Sequence, residues 1–251
     1  MDGKRCDLRM VELGLVPTRS RAENLIKLSQ VSVNKKIITK PGFKVFDHDL
    51  IEINSNTVQF VSRAAYKLDS VIAKFGINFK GLKILDIGSS TGGFTDYALY
   101  NGGKKVIAIE LGKDQLDPKL RSDPRIELHE KTDILDVSSF DSSGSGLKLS
   151  FEPDLILVDL SFVSILEMMS KIYDLAGAKT NIIIMVKPQF EATKLGLKHK
   201  GIIKNEKIRR QILNNFEIEA KRHFILVNKA DSAITGSKGN RERFYLLKKS
   251  I

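Results

Sequence analysis

The chain has one cysteine, Cys6, among 251 residues, which excludes a disulfide scaffold and any multi-thiolate zinc site. Four histidines are too few for a His-rich centre, and two of them, His199 and His223, sit in basic surroundings, so no metal is expected. No apolar run approaches the ~20 residues that span a bilayer. The best, Asn181–Val186 (NIIIMV), has the length of a strand. The opening residues, MDGKRCD, contain no apolar signal core, and a soluble cytoplasmic protein without membrane partners is the expectation. Acidic residues are in deficit: 30 Asp plus Glu stand against 41 Lys plus Arg, a net charge of +11. That balance suits a polyanionic partner, because each phosphate contact by Lys or Arg releases counterions. The excess is uneven, +3 over residues 1–58 and +7 over Lys194–Lys229. With 42% hydrophobic and 28% charged residues, the chain can bury a core.

Two modules are legible. In residues 1–58, apolar spacing predicts a helix over Asp7–Gly14 and a second over Arg21–Leu28, capped by Thr18 or Ser20. Short alternating segments follow at Val31–Asn34, Ile37–Ile38, Lys44–Phe46 and Asp49–Ile53, separated by Lys-Lys and Pro-Gly turns. The polar stretch Asn54–Thr57 reads as a linker. From residue 59 to 251, strands alternate with helices, which argues for an α/β fold with a mostly parallel sheet. The strands are expected at Lys83–Ile87, Lys105–Ile109, Arg125–His129, Asp154–Val158, Asn181–Val186, His223–Val227 and Arg243–Leu247. Helices are expected near Ala64–Phe75, Gly93–Tyr100, Gln115–Leu120, Val163–Leu175 and Asn205–Lys221, the last with Ile208, Ile212, Phe216 and Ala220 four apart. The final two strands are joined by a Gly-containing loop, so that pair is expected to be antiparallel. The Ser/Gly stretch Asp141–Gly146 reads as a loop.

The sharpest local signal is Leu85–Phe94 (LDIGSSTGGF), a strand running into a glycine loop and a helix start. Gly88, Ser89, Ser90, Thr91, Gly92, Gly93 and Phe94 would let the backbone approach a ligand and offer it free N–H groups. A P-loop would need Gly-Lys-Ser/Thr, and a dinucleotide fingerprint would need G-x-G-x-x-G; neither spacing is present. Glu110 ends the next strand, 22 residues after Gly88, where a carboxylate can accept both ribose hydroxyls of an adenosine. Asp133, in Lys131–Ile134, is placed after the third strand to accept from an adenine amino group, with Ile134 beside it. The three features describe an adenosyl pocket with no phosphate to bind, and S-adenosylmethionine fits it.

Four polar residues fall at element ends or on a neighbouring helix. Lys67 lies in Ser62–Leu68, Asp159 ends the fourth strand, Lys187 ends the fifth before Pro188, and Glu242 follows the loop Gly236–Asn240. Open α/β sheets put their chemistry at such strand ends. A ribose 2′-hydroxyl must lose its proton as it attacks a sulfonium methyl, and a partly desolvated lysine can take it while carboxylates orient the groups. Lys187 is assigned as base, Asp159 and Lys67 as partners that position it and the hydroxyl, and Glu242 as orienter. In the first module, Arg5, Arg19 and Arg21 are candidate phosphate contacts, extended by Lys35 and Lys36.

These residues resemble the TlyA-type bacterial proteins, often labelled haemolysins, which join an S-four RNA-binding domain to an FtsJ-like ribose methyltransferase. The resemblance spans nearly the whole chain. It rests on Arg5-x-Asp7 with Thr18–Ala22, Val61–Arg63 with Lys67 and Leu68, Leu85–Asp96, Val158–Phe162, Val186–Glu191 and Gly239-Asn240-x-Glu242. It implies a Rossmann-like class I methyltransferase acting on ribosomal RNA or ribosomal subunits, 2′-O-methylation at cytidine, and S-adenosylmethionine as donor. It also carries over Lys67, Asp159, Lys187 and Glu242 as a catalytic set. Three positions depart from the family pattern: Glu110 where Asp is usual, Asp133 within Lys-Thr-Asp, and Lys35-Lys36 where a glycine is usual.

Two other readings compete: a non-catalytic RNA-binding or ribosome assembly factor, and a membrane-active haemolysin. The intact loop and tetrad speak against the first, and the lack of a spanning segment against the second. Oligomeric state is left open by the sequence.

Overall fold

A computed structural model describes residues 3–54, 60–143, 146–197, 199–236 and 238–250. The chain forms two compact units, Met1–Arg63 and Ala64–Ile251. Of the expected linker, residues 55–57 lie outside the described residues, as do 144 and 145 of the expected Ser/Gly loop.

In the first unit, β1 (Lys4–Arg5) leads into α1 (Cys6–Glu12) and α2 (Arg19–Lys27). Thr18 caps α2, its hydroxyl accepting from the Arg21 amide at 3.2 Å. Strands β2 (Val31–Val33), β3 (Lys36–Ile38) and β5 (Ile51–Ile53) form an antiparallel sheet in the order β3-β2-β5, and β4 (Lys44–Val45) pairs with β1. The apolar faces meet in one core of Cys6, Met10, Ala22, Leu25, Ile26, Val31, Val33, Val45 and Ile51. The Val33↔Lys36 register leaves a two-residue turn of Asn34 and Lys35, both left-handed at φ 50° and 67°. Such a turn matches the twist of the flanking strands, and glycine usually fills its second place. Here Lys35 adopts the geometry without the glycine.

The second unit opens with α3 (Arg63–Phe75), β6 (Lys83–Ile87), α4 (Gly93–Tyr100), β7 (Lys105–Ile109), α5 (Pro118–Arg121) and β8 (Ile126–His129). A 3₁₀ turn, Ile134–Asp136, precedes a short ladder of β9 (Val137–Ser138) with β10 (Leu147–Lys148). Then come β11 (Leu155–Val158), α6 (Ile165–Leu175), β12 (Asn181–Val186), α7 (Pro188–Lys194), α8 (Glu206–Ala220), β13 (Phe224–Asp231) and β14 (Arg243–Lys249). The sheet order is β13-β14-β12-β11-β6-β7-β8, parallel from β12 to β8, with β14 inserted antiparallel to both its neighbours. Runs such as LILV and NIIIMV are buried on both sides, as expected of strands covered by helices on two faces. Alternate residues of one face (Leu85, Ile107, Ile156, Ile184, Tyr245) share a core with Ile165, Met169 and Ile172 of α6 and with Leu213 and Phe216 of α8.

Chain direction reverses between β6 and β11: from β6 the strands run outward to β8, and the chain then returns to β6's other side. Ligands of open α/β sheets bind at the carboxyl ends of strands beside such a switch point.

Three sequence expectations shift. The expected helix at Gln115–Leu120 forms only at Pro118–Arg121, because Asp117 caps it, accepting from the Lys119 amide at 2.9 Å. Strand β13 runs four residues past Val227, to Asp231, across a bulge at Leu226/Asn228. On α8, Ile208 is 38% exposed, and Arg209, at 2%, takes its place in the buried stripe. Among the described residues no helix is long and apolar enough to cross a membrane.

Candidate active site

The glycine loop turns at the carboxyl end of β6. The Gly88 and Ser89 amides both donate to Ile109 O, at 3.0 and 3.1 Å. Gly88 has φ +80°, and a Cβ there would lie 2.8 Å from the Asp159 carbonyl oxygen, so only glycine lets β6 pass this close to the end of β11.

Beside it lies a cavity of about 660 Å³, within the range of small-molecule sites. Of the residues expected to bind a cofactor, Gly88, Ser90, Glu110, Asp133, Ile134 and Asp159 line it. Ser89, Thr91, Gly92, Gly93 and Phe94 are not in its wall: Ser89 is buried in the turn, and Phe94 packs at 6.0 Å on Phe244. Gln115, Ser161 and Phe162 also line the cavity.

The Glu110 carboxylate is fixed by its neighbours. The Ser90 amide donates to Oε2 at 2.8 Å, and the Gly112 amide and Gln115 Nε2 donate to Oε1 at 2.7 and 3.4 Å. Oε2 retains a lone pair that a ligand hydroxyl could use, whereas Oε1 is already shared by two donors. Asp133 caps the 3₁₀ turn, accepting from the Leu135 amide at 2.9 Å.

Deeper in the sheet, Asp86 is fully buried. Its Oδ2 accepts from the Thr95 hydroxyl at 2.6 Å, and its Oδ1 has no hydrogen-bond partner. Burial pushes its carboxyl up to about 7, and the negative charges of Asp159 and Glu110 push the same way against the Thr95 bond. Three carboxylates therefore crowd the strand ends around this cavity, a field that favours a cationic ligand. Nothing in the loop supplies the Gly-Lys-Ser/Thr cradle of a phosphate site. A positively charged nucleoside derivative fits this donor set.

The structure brings the four expected catalytic residues to one sheet edge in two close ion pairs. Lys187, 8% exposed, places Nζ 2.6 Å from Asp159 Oδ1 and donates to Ser161 Oγ at 2.6 Å. Lys67, on α3, places Nζ 2.5 Å from Glu242 Oε2. The pairs are neighbours, because β12 and β14 end their ladder at Val186↔Arg243, and one further step in register sets Lys187 opposite Glu242. Only Asp159 belongs to both the pair and the cavity wall.

The loop after Asp159 holds Phe162 at φ +68° with 92% of its surface exposed. A bulky residue in that conformation is strained, and such strain concentrates at functional positions. Its ring lies 5.3 Å from that of Phe190, and Lys187 Nζ lies 5.8 Å from the Phe190 centroid. Glu191 anchors the same loop from α7, accepting from Ser164 Oγ at 2.5 Å and the Ile165 amide at 2.8 Å. Sequence reasoning assigned no site role to Ser161, Phe162 or Gln115. For the first two, the signal was their place directly after Asp159 at a strand end.

The candidate RNA contacts of the first unit differ in setting. Arg5 and Arg19 both grip the buried Asp7: Arg5 Nε at 2.9 Å and NH2 at 2.8 Å, Arg19 Nε at 2.9 Å. Arg21 donates to the Phe60 carbonyl at 2.5 Å. Lys35 and Lys36 are exposed at the β2–β3 turn.

Comparison with known proteins agrees with this geometry. Residues 60–249 match the FtsJ-like methyltransferase family, and residues 5–51 match the S4 domain. Hemolysin A of Brachyspira hyodysenteriae is 36% identical over 232 residues, 91% of this chain and 93% of its own length. A Mycobacterium tuberculosis protein named 16S/23S rRNA (cytidine-2'-O)-methyltransferase TlyA is 30% identical over 246 residues, 97% of this chain and 89% of its own. A solved structure provisionally described as a hemolysin from Streptococcus thermophilus superposes with a TM-score of 0.73 at 29% identity, covering 100% of this chain and 90% of that one. With a methyltransferase model matched across nearly all of its second unit and relatives matched nearly end to end, the chain belongs to the FtsJ-like methyltransferase family.

Proposed function

We propose that this chain methylates the 2′-hydroxyl of a ribose in ribosomal RNA, at cytidine, with S-adenosylmethionine as donor. One observation carries the reading: Asp159 lines the cavity and also holds Lys187 Nζ at 2.6 Å, so the lysine assigned as base is tied to the cavity wall. The relative named a cytidine-2'-O-methyltransferase supports the choice of substrate.

Glu110 would take the ribose of the donor and Asp133 its adenine, while the crowded carboxylates favour its positive charge. When bound, the donor supplies a methyl group activated by a positively charged sulfur. The rest of the chemistry belongs to the chain. Once Lys187 has given up its own proton, Nζ takes that of the RNA hydroxyl, and the ammonium formed is held by Asp159. Ser161 Oγ limits the directions in which Nζ can point. Lys67 and Glu242 form the neighbouring pair at the sheet edge and orient the sugar. Residues 1–58 form the RNA-binding module and residues 59–251 the catalytic one, with Lys35, Lys36, Arg5, Arg19 and Arg21 facing phosphate.

The test is transfer of labelled methyl from S-adenosylmethionine to ribosomal subunits or purified rRNA, followed by mass-spectrometric mapping. A ribose-methylated cytidine that disappears with Lys187→Ala is the expected result. Intact donor binding without transfer to RNA, or a methyl group on a base, overturns the reading.

A further inference from the structure

Helix α8 should bury an apolar stripe, yet the largest of its buried side chains is Arg209, 2% exposed. A guanidinium is costly to bury unless its donors are paired. Nε donates to the Arg241 carbonyl at 3.0 Å, NH1 to Glu206 Oε1 at 3.1 Å, and NH2 to Asp231 Oδ1 at 2.6 Å. Asp231 ends β13 and also accepts from Arg243 Nε at 2.6 Å, with Arg241 Nε 3.4 Å from its second oxygen. Burial alone would raise the Asp231 carboxyl, but Arg243 and Arg209 hold it down at about 2, so it stays charged.

This network brackets one residue. Arg241 is gripped by its carbonyl and Arg243 by its side chain, and between them the Glu242 carbonyl accepts from the Ser232 amide at 3.0 Å. Glu242 itself precedes the first ladder residue of β14, so this network meets it where the regular sheet begins. The loop closes over its side chain, since a Cβ at Gly236 would lie 2.9 Å from Glu242 Oε1. The partner side is tied as well. The Lys67 carbonyl accepts from Ser70 Oγ at 2.6 Å, and that oxygen accepts from the Ala233 amide at 3.2 Å.

We propose that Arg209 is a positioning residue for methyl transfer: through Asp231, Arg243 and the Arg241 carbonyl, it fixes Glu242 against Lys67. The proposal rests on the reading of Lys67 and Glu242 as part of the reacting site. A buried ion network is seldom more stabilising than an apolar cluster of equal volume, so stability alone gives little reason for charge at this stripe position. What the network adds is geometry. A planar guanidinium has donors in fixed directions, so it holds a carbonyl and a carboxylate at set angles to each other, which the rotatable ammonium of a lysine does not impose.

A double-mutant cycle between Arg209→Lys and Glu242→Gln tests it, with thermal unfolding and donor affinity as checks of the fold. Arg209→Lys is expected to lower kcat about tenfold, with KM for RNA and Kd for S-adenosylmethionine changed less than about twofold. In the Glu242→Gln background, the same change should cost nothing further. If the two losses multiply, Arg209 does not act through Glu242 and the proposal falls; it falls equally if Arg209→Lys keeps full kcat. Full activity of Glu242→Gln would instead remove the tetrad reading beneath it. Asp231→Asn, nearer the surface, carries the same cycle if Arg209→Lys does not fold.

Discussion

Lys187 and Asp159 stand one residue beyond the ends of adjacent parallel strands, with Nζ and Oδ1 2.6 Å apart. Neither strand alone makes this pair. β11 and β12 are separated in sequence by α6, and only their ladder, Val158 against Ile184, brings the two side chains together. An amine held this way has its orientation fixed before substrate arrives, and a proton taken up has a carboxylate waiting for it. Lys187→Ala is therefore expected to lower kcat by about 10²–10⁴-fold, the usual range for a general base, with donor affinity unchanged. Ser161→Ala removes one of two anchors on Nζ and should cost about tenfold. Single-turnover methylation with calorimetric donor binding separates the two effects. Lys187→Ala that methylates at wild-type rate would end the assignment.

Phe162 faces solvent at the cavity rim in a conformation that favours glycine. Burial contributes nothing that would offset the strain, so a use in binding is the better explanation. Its exposed ring, beside Phe190, suits stacking of an unpaired base, and such a contact is worth about 1–3 kcal/mol by alanine substitution. Phe162→Ala should reduce kcat/KM for RNA by about tenfold to a hundredfold with donor affinity intact. Phe162→Gly should lose the same activity while raising the unfolding temperature, because the strain is gone. Equal kcat/KM for variant and wild type would remove the ring from the substrate site.

The Asp86 carboxyl, raised to about 7 from its ordinary 3.8, makes donor binding depend on pH. The folded chain keeps this proton between those values, where the unfolded chain has lost it. Its contribution to stability is complete below the unfolded value and is lost as pH rises through about 7. A cation in the cavity favours the charged carboxylate and reverses that loss. Donor affinity should accordingly rise from pH 6 to pH 8, with proton release on binding at pH 6.5 and almost none at pH 8.5. Calorimetry in buffers of different ionisation enthalpy measures the release, which Asp86→Asn should abolish. Proton uptake at pH 6.5 would contradict the field described here.

Much of the second unit was legible because its strands are covered on both faces. LILV and NIIIMV have no alternative to burial, and the glycine loop between β6 and α4 announces itself by type and spacing. Asp159 and Lys187 were legible as strand-end neighbours because each follows an apolar run, whereas Glu242 follows a polar loop. What stayed hidden depends on partners remote in sequence. Arg209 is buried for the sake of Asp231 and Arg241, 22 and 32 residues away, so a search for an apolar stripe prefers Ile208. Glu110 spends bonds on Ser90 and Gly112, which only the folded loop shows. Seven-residue α7 begins at a proline, too short for periodicity to reveal. In the first unit, Arg5 and Arg19 look like free cations in sequence and turn out to share the buried Asp7.

That sharing moves the RNA test of the first unit to the β2–β3 turn. Reversing Arg19 would disturb a buried carboxylate as well as any phosphate contact, whereas Lys35 is exposed and its side chain is free of that difficulty. Lys35 sits at φ 67°, where an ordinary residue costs about 1–2 kcal/mol and glycine almost nothing. Glycine's greater freedom in the unfolded chain returns part of the gain, so Lys35→Gly should stabilise by about 0.5–1 kcal/mol, seen as a higher unfolding temperature. If the lysine is kept for a phosphate, the same change should weaken RNA binding and reduce the slope of log K against log salt by about 0.7–0.9. Gain of stability with loss of slope is the expected pair of results. A higher unfolding temperature with an unchanged slope would take Lys35 out of the RNA footprint, and a lower one would show that the turn depends on the lysine side chain.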